Sequence, residues 1–528
     1  MCEFLQDGLA RPEDWNSVRA EPFSPQAARR WLAPVILLSC IFLYLQVFIP
    51  PSTPLLISGD QSIYLHHATR MLDGQLIYRD YDHFTLPGTD LLYMGLFRIF
   101  GVRAWIPQVM LIALGVSSIW IITFISNKVI TGTAALLPGL LFVSVPFSAY
   151  LDATHHWYST VATTAALAVL IEKRTPTRLM WAGILMGIAT FFTQSVGLLT
   201  VGFAIFSLWE FRPDEQPMKL LIKKEASLVV AFLVTLTICI AYFVQAVGVK
   251  KFFYYTVVFV VKYYPADWFN TWRVYLSGRP RLHAWTTWVD LPAFVLIQLI
   301  VPFLYIPFLV SLTSKRGPKP SEQRKRLMLL SLTGLFLFLS VASAPAPSRL
   351  YAVSVPALVL LVWFLESRKI GRTGLWILWA TVIVLAVIRP LVIQSRWKGI
   401  LDLPIGRTAF IESVPYEKCK WISERTQPFD YFFNDQMIAF ALRLRNVSRV
   451  PILRPTDYTR PEEVQDAIQA LDKFQVRFVS WYRGLDYEKE AARHPESNHL
   501  GPLRLYLHEH YHIAQTFSNG DQIWERNP

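Results

Sequence analysis

Acidic and imidazole side chains are concentrated between residues 58 and 93, directly after the first long apolar run of the chain. The titratable members of this stretch are Asp60, Asp73, Asp80, Asp82, Asp90, His66, His67 and His83. A carboxylate at the mouth of a membrane segment, such as Asp60 in the sequence Gly59-Asp60-Gln61, can take a proton from an attacking hydroxyl group. Aspartate is also a preferred helix N-cap, and that role is compatible with the chemical one. We predict that Asp60 is a catalytic base, and that Asp73 and Asp90 lie on solvated helix faces.

A second short polar stretch adds Asp152, His155 and His156, followed by Trp157 and Tyr158. Aromatic rings beside carboxylates suit sugar recognition, because a ring can stack on the apolar face of a pyranose. The same rings suit the interfacial belt of a membrane protein. A solvated polar turn is likewise the alternative for the stretch 78–83. The predicted lining of a substrate site is Asp80, Asp82, His83, Asp152, His155, His156, Gln194 and Tyr351.

Arg349 lies just before an apolar segment, in a stretch that continues through Tyr351 to Pro356. A guanidinium group binds phosphate through a planar fork, although Arg349 can equally be an interfacial anchor. The loop 248–289 is rich in Tyr and Trp and adds six basic residues, Lys250, Lys251, Lys262, Arg273, Arg279 and Arg281. These favour an anionic ligand such as a lipid phosphate, with headgroup binding without catalysis as the alternative.

The composition requires a membrane setting for these residues. The chain has 528 residues, of which 53% are hydrophobic and only 17% are charged, whereas soluble domains carry about 25% charged residues. The net charge of +13 comes from Lys and Arg in short loops between apolar runs, which is typical of a membrane protein and does not indicate a nucleic-acid partner. Four cysteines, two of them inside apolar runs, indicate no disulfide framework.

The apolar runs predict an all-α polytopic membrane protein with about 11 transmembrane helices. The predicted segments are 32–50, 105–127, 131–150, 159–171, 179–193, 196–211, 226–247, 290–312, 327–344, 351–365 and 374–394. The first loop, 51–104, contains two predicted amphipathic surface helices at 62–73 and 88–100. The layout is then a cytoplasmic segment 1–31, a membrane domain 32–394 and a soluble tail 395–528.

The distribution of basic residues predicts the orientation. If the N-terminus is inside, the inside loops hold 21 Lys and Arg and the outside loops hold 11. The positive-inside bias therefore places the N-terminus in the cytoplasm and the loop 51–104 outside. An odd number of spans places the tail outside as well.

The tail 395–528 reads as a small α/β domain, because long apolar runs stop and helix and strand patterns alternate. Strands are predicted at 429–433, 476–481 and 522–526, and helices at 461–474, with Thr459 as N-cap, and at 503–510. No nucleotide-binding glycine loop or metal-ligand spacing is present in the tail. Its four histidines are predicted to be surface residues: His499, His508, His510 and His512.

Several of these motifs, taken in order, resemble the GT-C type of lipid-dependent membrane glycosyltransferase. The resemblance is to bacterial protein O-mannosyltransferase-like and aminoarabinose transferase-like enzymes, and it covers about residues 32–365. The matching motifs are Gly59-Asp60-Gln61, the stretch 68–74, Tyr78-Arg79-Asp80-Tyr81-Asp82, Pro87-Gly88, Asp152, and Arg349-Leu350-Tyr351 followed by Pro356. The chain departs from the family pattern at Gln61, where a second acid is common, and at Thr85-Leu86-Pro87, where aminoarabinose transferases have Lys-Pro-Pro.

This resemblance implies a polyprenyl-phosphate sugar donor, inversion at the anomeric carbon, and Asp60 as general base. It also implies a bacterial inner (cell) membrane, with a glycan, lipid or protein acceptor on the outer face. Arg349 and the loop 248–289 would then hold the leaving phosphate. A divalent metal ion is left open as a cofactor. The alternatives are a transporter or flippase of a lipid-linked glycan, which should carry more titratable residues inside its spans, and a non-catalytic envelope scaffold.

Overall fold

The computed structural model describes residues 26–213, 215–276, 285–305, 309, 321–368, 371–487 and 495–528. Most of the predicted N-terminal segment 1–31 therefore lies outside the described residues, as do Arg279 and Arg281. The helices up to residue 396 are α1 (Gln26–Val47), α2 (Asp60–Leu72), α3 (Gly88–Phe100), α4 (Trp105–Ser126), α5 (Gly132–Phe147), α6 (His155–Glu172), α7 (Pro176–Phe192), α8 (Gln194–Glu210), α9 (Met218–Val247), α10 (Thr287–Tyr305), α11 (Glu322–Val341), α12 (Pro347–Ala352), α13 (Val355–Glu366) and α14 (Gly371–Arg396). Between α9 and α10 the described chain runs through short helical turns from Val249 to Leu276.

Five helices of the described chain are long and apolar enough to cross a bilayer. These are α4, α9, α10, α14 and the part of α1 from Arg30 to Val47. The apolar helices α5, α7, α8 and α13 are shorter, with 10–17 residues, whereas a straight span needs about 20. Each of the eleven predicted segments overlaps a helix, and 351–365 overlaps both α12 and α13, but the structure supports five full-length spans by length and composition. The chain is an integral membrane protein, and the count of eleven spans stays a prediction.

Helices α7 and α9 pack closely against each other. Gly183 and Gly187 lie one turn apart on α7 and face α9. A Cβ atom at Gly183 would come within 2.3 Å of the Leu228 carbonyl oxygen, and one at Gly187 within 2.7 Å of Thr235. Small residues at this spacing allow two backbones in a membrane to approach closely, where packing and not water exclusion holds helices together.

The two loop helices occur at almost the predicted positions, but their surroundings differ from those of surface helices. Nine of the thirteen residues of α2 are buried, including both histidines and Arg70. The tail covers them, and Arg70 donates a 2.7 Å hydrogen bond to the Ser448 carbonyl. The prediction of a solvated face is wrong for Asp90, which is fully buried in α3. Asp73, at the C-terminus of α2, is exposed as predicted.

The tail contains a mixed five-stranded sheet with helices, as an α/β region should. Its helices are α15 (Ser413–Ser423), α16 (Gln436–Ala441), α17 (Pro461–Lys473), α18 (Gly484–Tyr487) and α19 (Gly501–His510). The strands of the protein are β1 (Phe48–Ile49), β2 (Thr53–Leu56), β3 (Gly399–Leu403), β4 (Gly406–Phe410), β5 (Tyr431–Phe433), β6 (Arg445–Asn446), β7 (Phe478–Trp481), β8 (Tyr511–Thr516) and β9 (Gln522–Arg526). The sheet order is β6-β5-β7-β9-β8. The predicted tail elements are confirmed within a few residues. The predicted cap is wrong, because α17 has Arg460 at its N-cap and the Thr459 hydroxyl instead accepts from the Arg454 amide.

A second sheet joins the tail to the first loop. Its order is β1-β2-β4-β3, so two strands come from each part of the chain. Strand β2 pairs in parallel with β4, with Leu55 opposite Ala409 and Leu56 opposite Phe410. The loop 51–104 and the tail must therefore lie on the same side of the membrane. This placement requires an even number of crossings between them, as the orientation argument also does.

Candidate active site

The N-terminus of α2 presents Asp60 and is held in place by a carboxylate from the second loop. Gly59 precedes the helix with a φ of 149°, a conformation that side chains disfavour. Asp152 accepts hydrogen bonds from the backbone N–H of Asp60 at 3.0 Å and of Gln61 at 2.9 Å. A Cβ atom at position 59 would lie 2.7 Å from Asp152 Oδ2, so glycine is needed for this approach.

The N-cap prediction for Asp60 is therefore wrong in an informative way. Asp60 is the first residue of the helix and makes no capping hydrogen bond with its side chain. Asp152 satisfies two of the free N–H groups that a cap residue would otherwise satisfy. Gln61 completes the connection, because its side-chain oxygen accepts from the Ala153 amide at 3.0 Å. The Asp60 carboxylate takes no part in these contacts; it accepts a hydrogen bond from Tyr150 and is exposed.

The two carboxylates share one electrostatic environment. Desolvation by the surrounding protein raises the pKa of Asp60, although Arg349, Arg454 and a hydrogen bond from Tyr150 act in the opposite direction. Burial also raises the pKa of Asp152, and the neighbouring charge of Asp60 raises it further. Two neighbouring carboxyl groups are seldom both ionised, because the two negative charges would repel each other. The pair is thus suited to holding or accepting a proton near neutral pH.

A cavity of about 800 Å³ opens beside Asp60, between the first loop and the tail. Its volume is in the range of sites that enclose small organic ligands. The Asp60 side chain is exposed to this space. The tail supplies most of the lining, in which apolar residues such as Met437 and Leu453 alternate with several polar ones: Lys418, Asn434, Asp435, Arg454, Tyr482 and Asp521. This lining suits a ligand with several hydroxyl or charged groups.

Two guanidinium groups are close enough to lower the pKa of Asp60, and the loop 248–276 positions both. Arg349 donates to the Ala344 carbonyl at 3.0 Å, to the Tyr264 hydroxyl, and to Asn270 Oδ1 at 3.4 Å. Arg454, from the tail, pairs with Asp267 at 2.7 Å. The acceptors described for Arg349 are all neutral, so its positive charge stays available to an anion. The charge of Arg454 is partly neutralised.

The basic residues of the loop 248–289 do not join this group in the described chain. Lys250 and Lys251 line a different pocket of about 520 Å³, with Tyr254 and Tyr255. Lys262 and Arg273 are exposed. The loop therefore supports Arg349 through the hydroxyl of Tyr264 and the amide of Asn270. The lysines predicted to hold phosphate lie elsewhere.

His155 and His156 lie beside the carboxylate pair at the start of α6. Their rings are 3.9 Å apart between centroids. His155 Nδ1 lies 2.6 Å from the Tyr64 hydroxyl, which connects α6 to α2. Arg349 lies close enough to act electrostatically on both imidazoles. The structure thus brings together Asp60, Asp152, His155, His156 and Arg349 among the predicted site residues.

The remaining predicted site residues make structural contacts away from Asp60. Asp80 pairs with Arg79 at 2.8 Å and accepts from the Leu76 amide, within a turn. Asp82 is buried and binds the Tyr255 hydroxyl and Arg449 of the tail. These contacts hold the turn and the tail in place.

The three other predicted residues bind the backbone, pack in the membrane part or contact neighbours within the first loop. Gln194 donates to the Phe84 carbonyl at 2.7 Å. Tyr351 is largely buried in α12, near Arg389 and Asp290. His83 contacts Thr85 and His67. None of these contacts places the side chain in the cavity beside Asp60.

Arg454 and Tyr150 are site residues that the sequence analysis missed. Arg454 lies in an ordinary polar stretch of the tail, far from Asp60 along the chain, and no local pattern distinguishes it. Tyr150 was assigned to the end of an apolar segment, where tyrosine is common. Its position two residues before Asp152 was the only available indication of a role.

The sequence matches no known family model and no curated protein. Among solved structures, the chain is similar to the archaeal oligosaccharyltransferase AglB from Archaeoglobus fulgidus in complex with an inhibitory peptide and a dolichol-phosphate. The TM-score is 0.52 at 12% identity, over 94% of this chain and 74% of that chain. The same archaeal enzyme tethered to an acceptor peptide gives 0.49 at 13% identity, over 95% and 74%. The mycobacterial arabinofuranosyltransferase AftD gives 0.42 at 11%, over 95% and 41%. The first likeness shows a shared fold.

Proposed function

We propose that this protein is a membrane glycosyltransferase that transfers a sugar from a polyprenyl-phosphate donor to an acceptor hydroxyl, with Asp60 as general base. The observation that carries the proposal is the exposed Asp60 carboxylate, which faces a cavity with several polar lining residues and lies within the electrostatic range of two guanidinium groups. The fold supports the same reading, since the solved structure that shares it contains dolichol-phosphate and a peptide.

The proposed reaction is an in-line displacement at the anomeric carbon. The acceptor hydroxyl oxygen forms the new glycosidic bond while its proton passes to Asp60. The bond between the anomeric carbon and the phosphate oxygen breaks, and its electron pair leaves with the lipid phosphate. Attack from the face opposite the phosphate inverts the configuration.

The residues around Asp60 have distinct parts in this proposal. Arg349 stabilises the negative charge that grows on the leaving phosphate, because its charge is not neutralised by a described carboxylate. Asp152 fixes the backbone that carries Asp60. His155 and His156 line the sugar side of the site. The polar tail wall of the cavity binds the acceptor.

The divalent metal ion left open by the sequence enters no step of this proposal. Both oxygens of Asp152 already accept backbone N–H groups. Among the described residues, the group of His, Cys, Asp and Glu side chains with metal-ligand spacing does not include Asp60. Asp60 is thus assigned the part of a base.

The location is also part of the proposal. The cavity lies between the loop 51–104 and the tail, and the charge bias places both outside a bacterial cell membrane, with the N-terminus in the cytoplasm. Nucleotide sugars are cytoplasmic, so a lipid carrier is the suitable donor on that face.

The direct test is sugar transfer from a polyprenyl-phosphate donor by the purified protein in liposomes. Lipid extracts from cells with and without the gene identify the donor, which should accumulate when the gene is absent. We expect donor consumption that depends on added acceptor. If the wild-type protein neither binds nor consumes such donors, the proposed enzyme activity is refuted and the alternative of a non-catalytic envelope scaffold is favoured.

A further inference from the structure

Three potential metal ligands meet inside the first loop, apart from the cavity. His67 of α2, His83 of the connecting segment and Asp90 of α3 are 1%, 4% and 0% exposed. One ligand atom of each lies within 4.8 Å of the ligand atoms of the other two. Each side chain comes from a different element of the loop, so the cluster joins all three elements.

The spacing of the best-defined pair matches that of ligands on one ion. His67 Nδ1 and Asp90 Oδ1 are 3.1 Å apart. Two ligands of a tetrahedral zinc ion, each at about 2.0–2.1 Å from the metal, are separated by about 3.3 Å. The ring of His83 meets that of His67 edge-on, with centroids 4.8 Å apart. A small inward shift of His83 would bring all three ligand atoms to such an ion.

Polar atoms without a partner provide an independent indication. Asp90 Oδ2 and His83 Nδ1 are fully buried and have no hydrogen-bond partner among the described residues. The hydroxyl groups of Tyr81 and Thr89 are also buried without a hydrogen-bond partner among the described residues. Buried polar groups in native proteins are rarely left unsatisfied, and a bound ion is one of the recognised explanations. A hydrogen-bonded His67–Asp90 pair alone leaves these atoms unexplained.

The charges in and around the cluster also suit a cation. Arg70, which lies three residues after His67 on α2, directs its N–H groups to Gln75 and to the Ser448 carbonyl. It therefore does not neutralise Asp90 through an ion pair.

We propose that His67, His83 and Asp90 bind one divalent transition-metal ion, zinc by the nature of the ligands, as a structural centre of the first loop. Two imidazoles and a carboxylate are a ligand set that zinc accepts, with the fourth position left for a hydroxyl group or water. His83 Nε2 contacts the Thr85 hydroxyl at 2.5 Å, the kind of outer contact that orients a ligating imidazole.

The ion would hold the segment 73–87 against both loop helices. From Thr85 the contacts continue to the Tyr64 hydroxyl at 3.5 Å, and Tyr64 in turn reaches His155. The metal centre thus supports the element whose N-terminus carries Asp60. It takes no part in the transfer step, and its existence does not depend on the proposed reaction.

The test is the metal content of the full-length protein purified in detergent without chelators. We expect zinc at one equivalent per chain by mass spectrometry of the metal. Asp90→Asn and His83→Ala should lose it, whereas the exposed control Asp73→Asn should retain it. Asp60→Asn should retain it too, which separates this centre from any cation at the Asp60–Asp152 pair.

A second measurement covers variants that fail to fold. The wild-type protein is stripped with a chelator and titrated with zinc, and its thermal unfolding is followed. Removal should lower the unfolding temperature and zinc should restore it. Cobalt in place of zinc should give the visible absorption of a tetrahedral site. A wild-type protein with no metal above background and no response to zinc would overturn the proposal, as would zinc that remains in both Asp90→Asn and His83→Ala.

Discussion

Replacing Asp60 with asparagine should separate catalysis from folding. The Asp60 side chain caps nothing, since Asp152 already binds the two backbone N–H groups at the start of α2. Asparagine keeps the size of aspartate and removes its ability to accept a proton. General-base assistance is typically worth 10²–10⁴-fold, which corresponds to about 3–5 kcal/mol of the activation barrier. Transfer should fall by that factor while thermal stability is retained.

Asp152→Asn is the matched comparison. The same substitution is made in the other carboxylate, which holds the backbone of α2 and is not the proposed base. Each oxygen of the Asp152 carboxylate accepts one backbone N–H, so asparagine can keep one of these bonds while its NH₂ group faces the other N–H. Loss of one buried acceptor costs about 1–3 kcal/mol. Asp152→Asn should therefore lower the unfolding temperature as well as activity. Equal loss of stability in the two variants would contradict the roles assigned to the pair.

The pH dependence gives a further check on the same pair. Desolvation raises the pKa of Asp60 in the folded protein, so the acidic limb of the activity profile should lie above the ordinary aspartate value of 3.8. The charge of Asp60 raises the pKa of Asp152, so Asp60 ionises first and Asp152 is still uncharged on the acidic limb. Asp152→Asn should therefore leave that limb near its wild-type position. The assay is sugar transfer in liposomes between pH 4 and 9. Full activity of Asp60→Asn at any pH would refute the base assignment.

Three other outcomes follow from the structure. Arg349→Ala should weaken donor binding more than Arg454→Gln, because Arg454 is already paired with Asp267. Arg349→Lys should restore donor binding only in part. Equal donor affinities of Arg349→Ala and Arg454→Gln in a lipid-binding titration would place the phosphate elsewhere. Gly59→Ala should reduce both stability and transfer, since its Cβ atom would lie 2.7 Å from Asp152, and a wild-type unfolding temperature would contradict this. Reporter fusions after Pro528 and within 313–326 should report opposite sides of the membrane, and labelling on the same side would remove the cavity from the outer face.

The helices of the membrane part were predictable because an apolar run is recognisable within a short window of sequence. The same holds for the tail elements around 461–473 and 522–526, where periodicity and turn residues are local. The burial of α2 and α3 inside the protein was not predictable. Asp90 reads as a solvated residue on its own helix, and only the fold reveals that His67 lies 3.1 Å from it.

Residues of the candidate site were predicted where the local sequence sets them apart. They were missed where segments distant in sequence meet. Asp60 and Asp152 stand out as acids beside apolar runs, and Arg349 as a cation beside one. Nothing in the sequence around Arg454 indicates that the tail returns to Asp60, because that contact depends on the pairing of β2 with β4. The N-cap role was assigned to Asp60 for the same reason, since a cap supplied by the second loop cannot be read from the helix sequence.

The parallel pairing of β2 with β4 also determines when this protein becomes complete. Ser58, just before Asp60, bonds to Glu412 across 354 residues of sequence. At 5–20 residues per second, a ribosome takes roughly 20–70 s to add a stretch of that length. During this interval the first loop has left the membrane without the wall that the tail provides. The cavity can therefore form only after the last spans have been inserted and the tail has reached the side of the membrane on which the first loop lies. The cavity of a newly made chain stays incomplete until synthesis is almost finished, and defects in moving the tail to that side should resemble defects in the site itself.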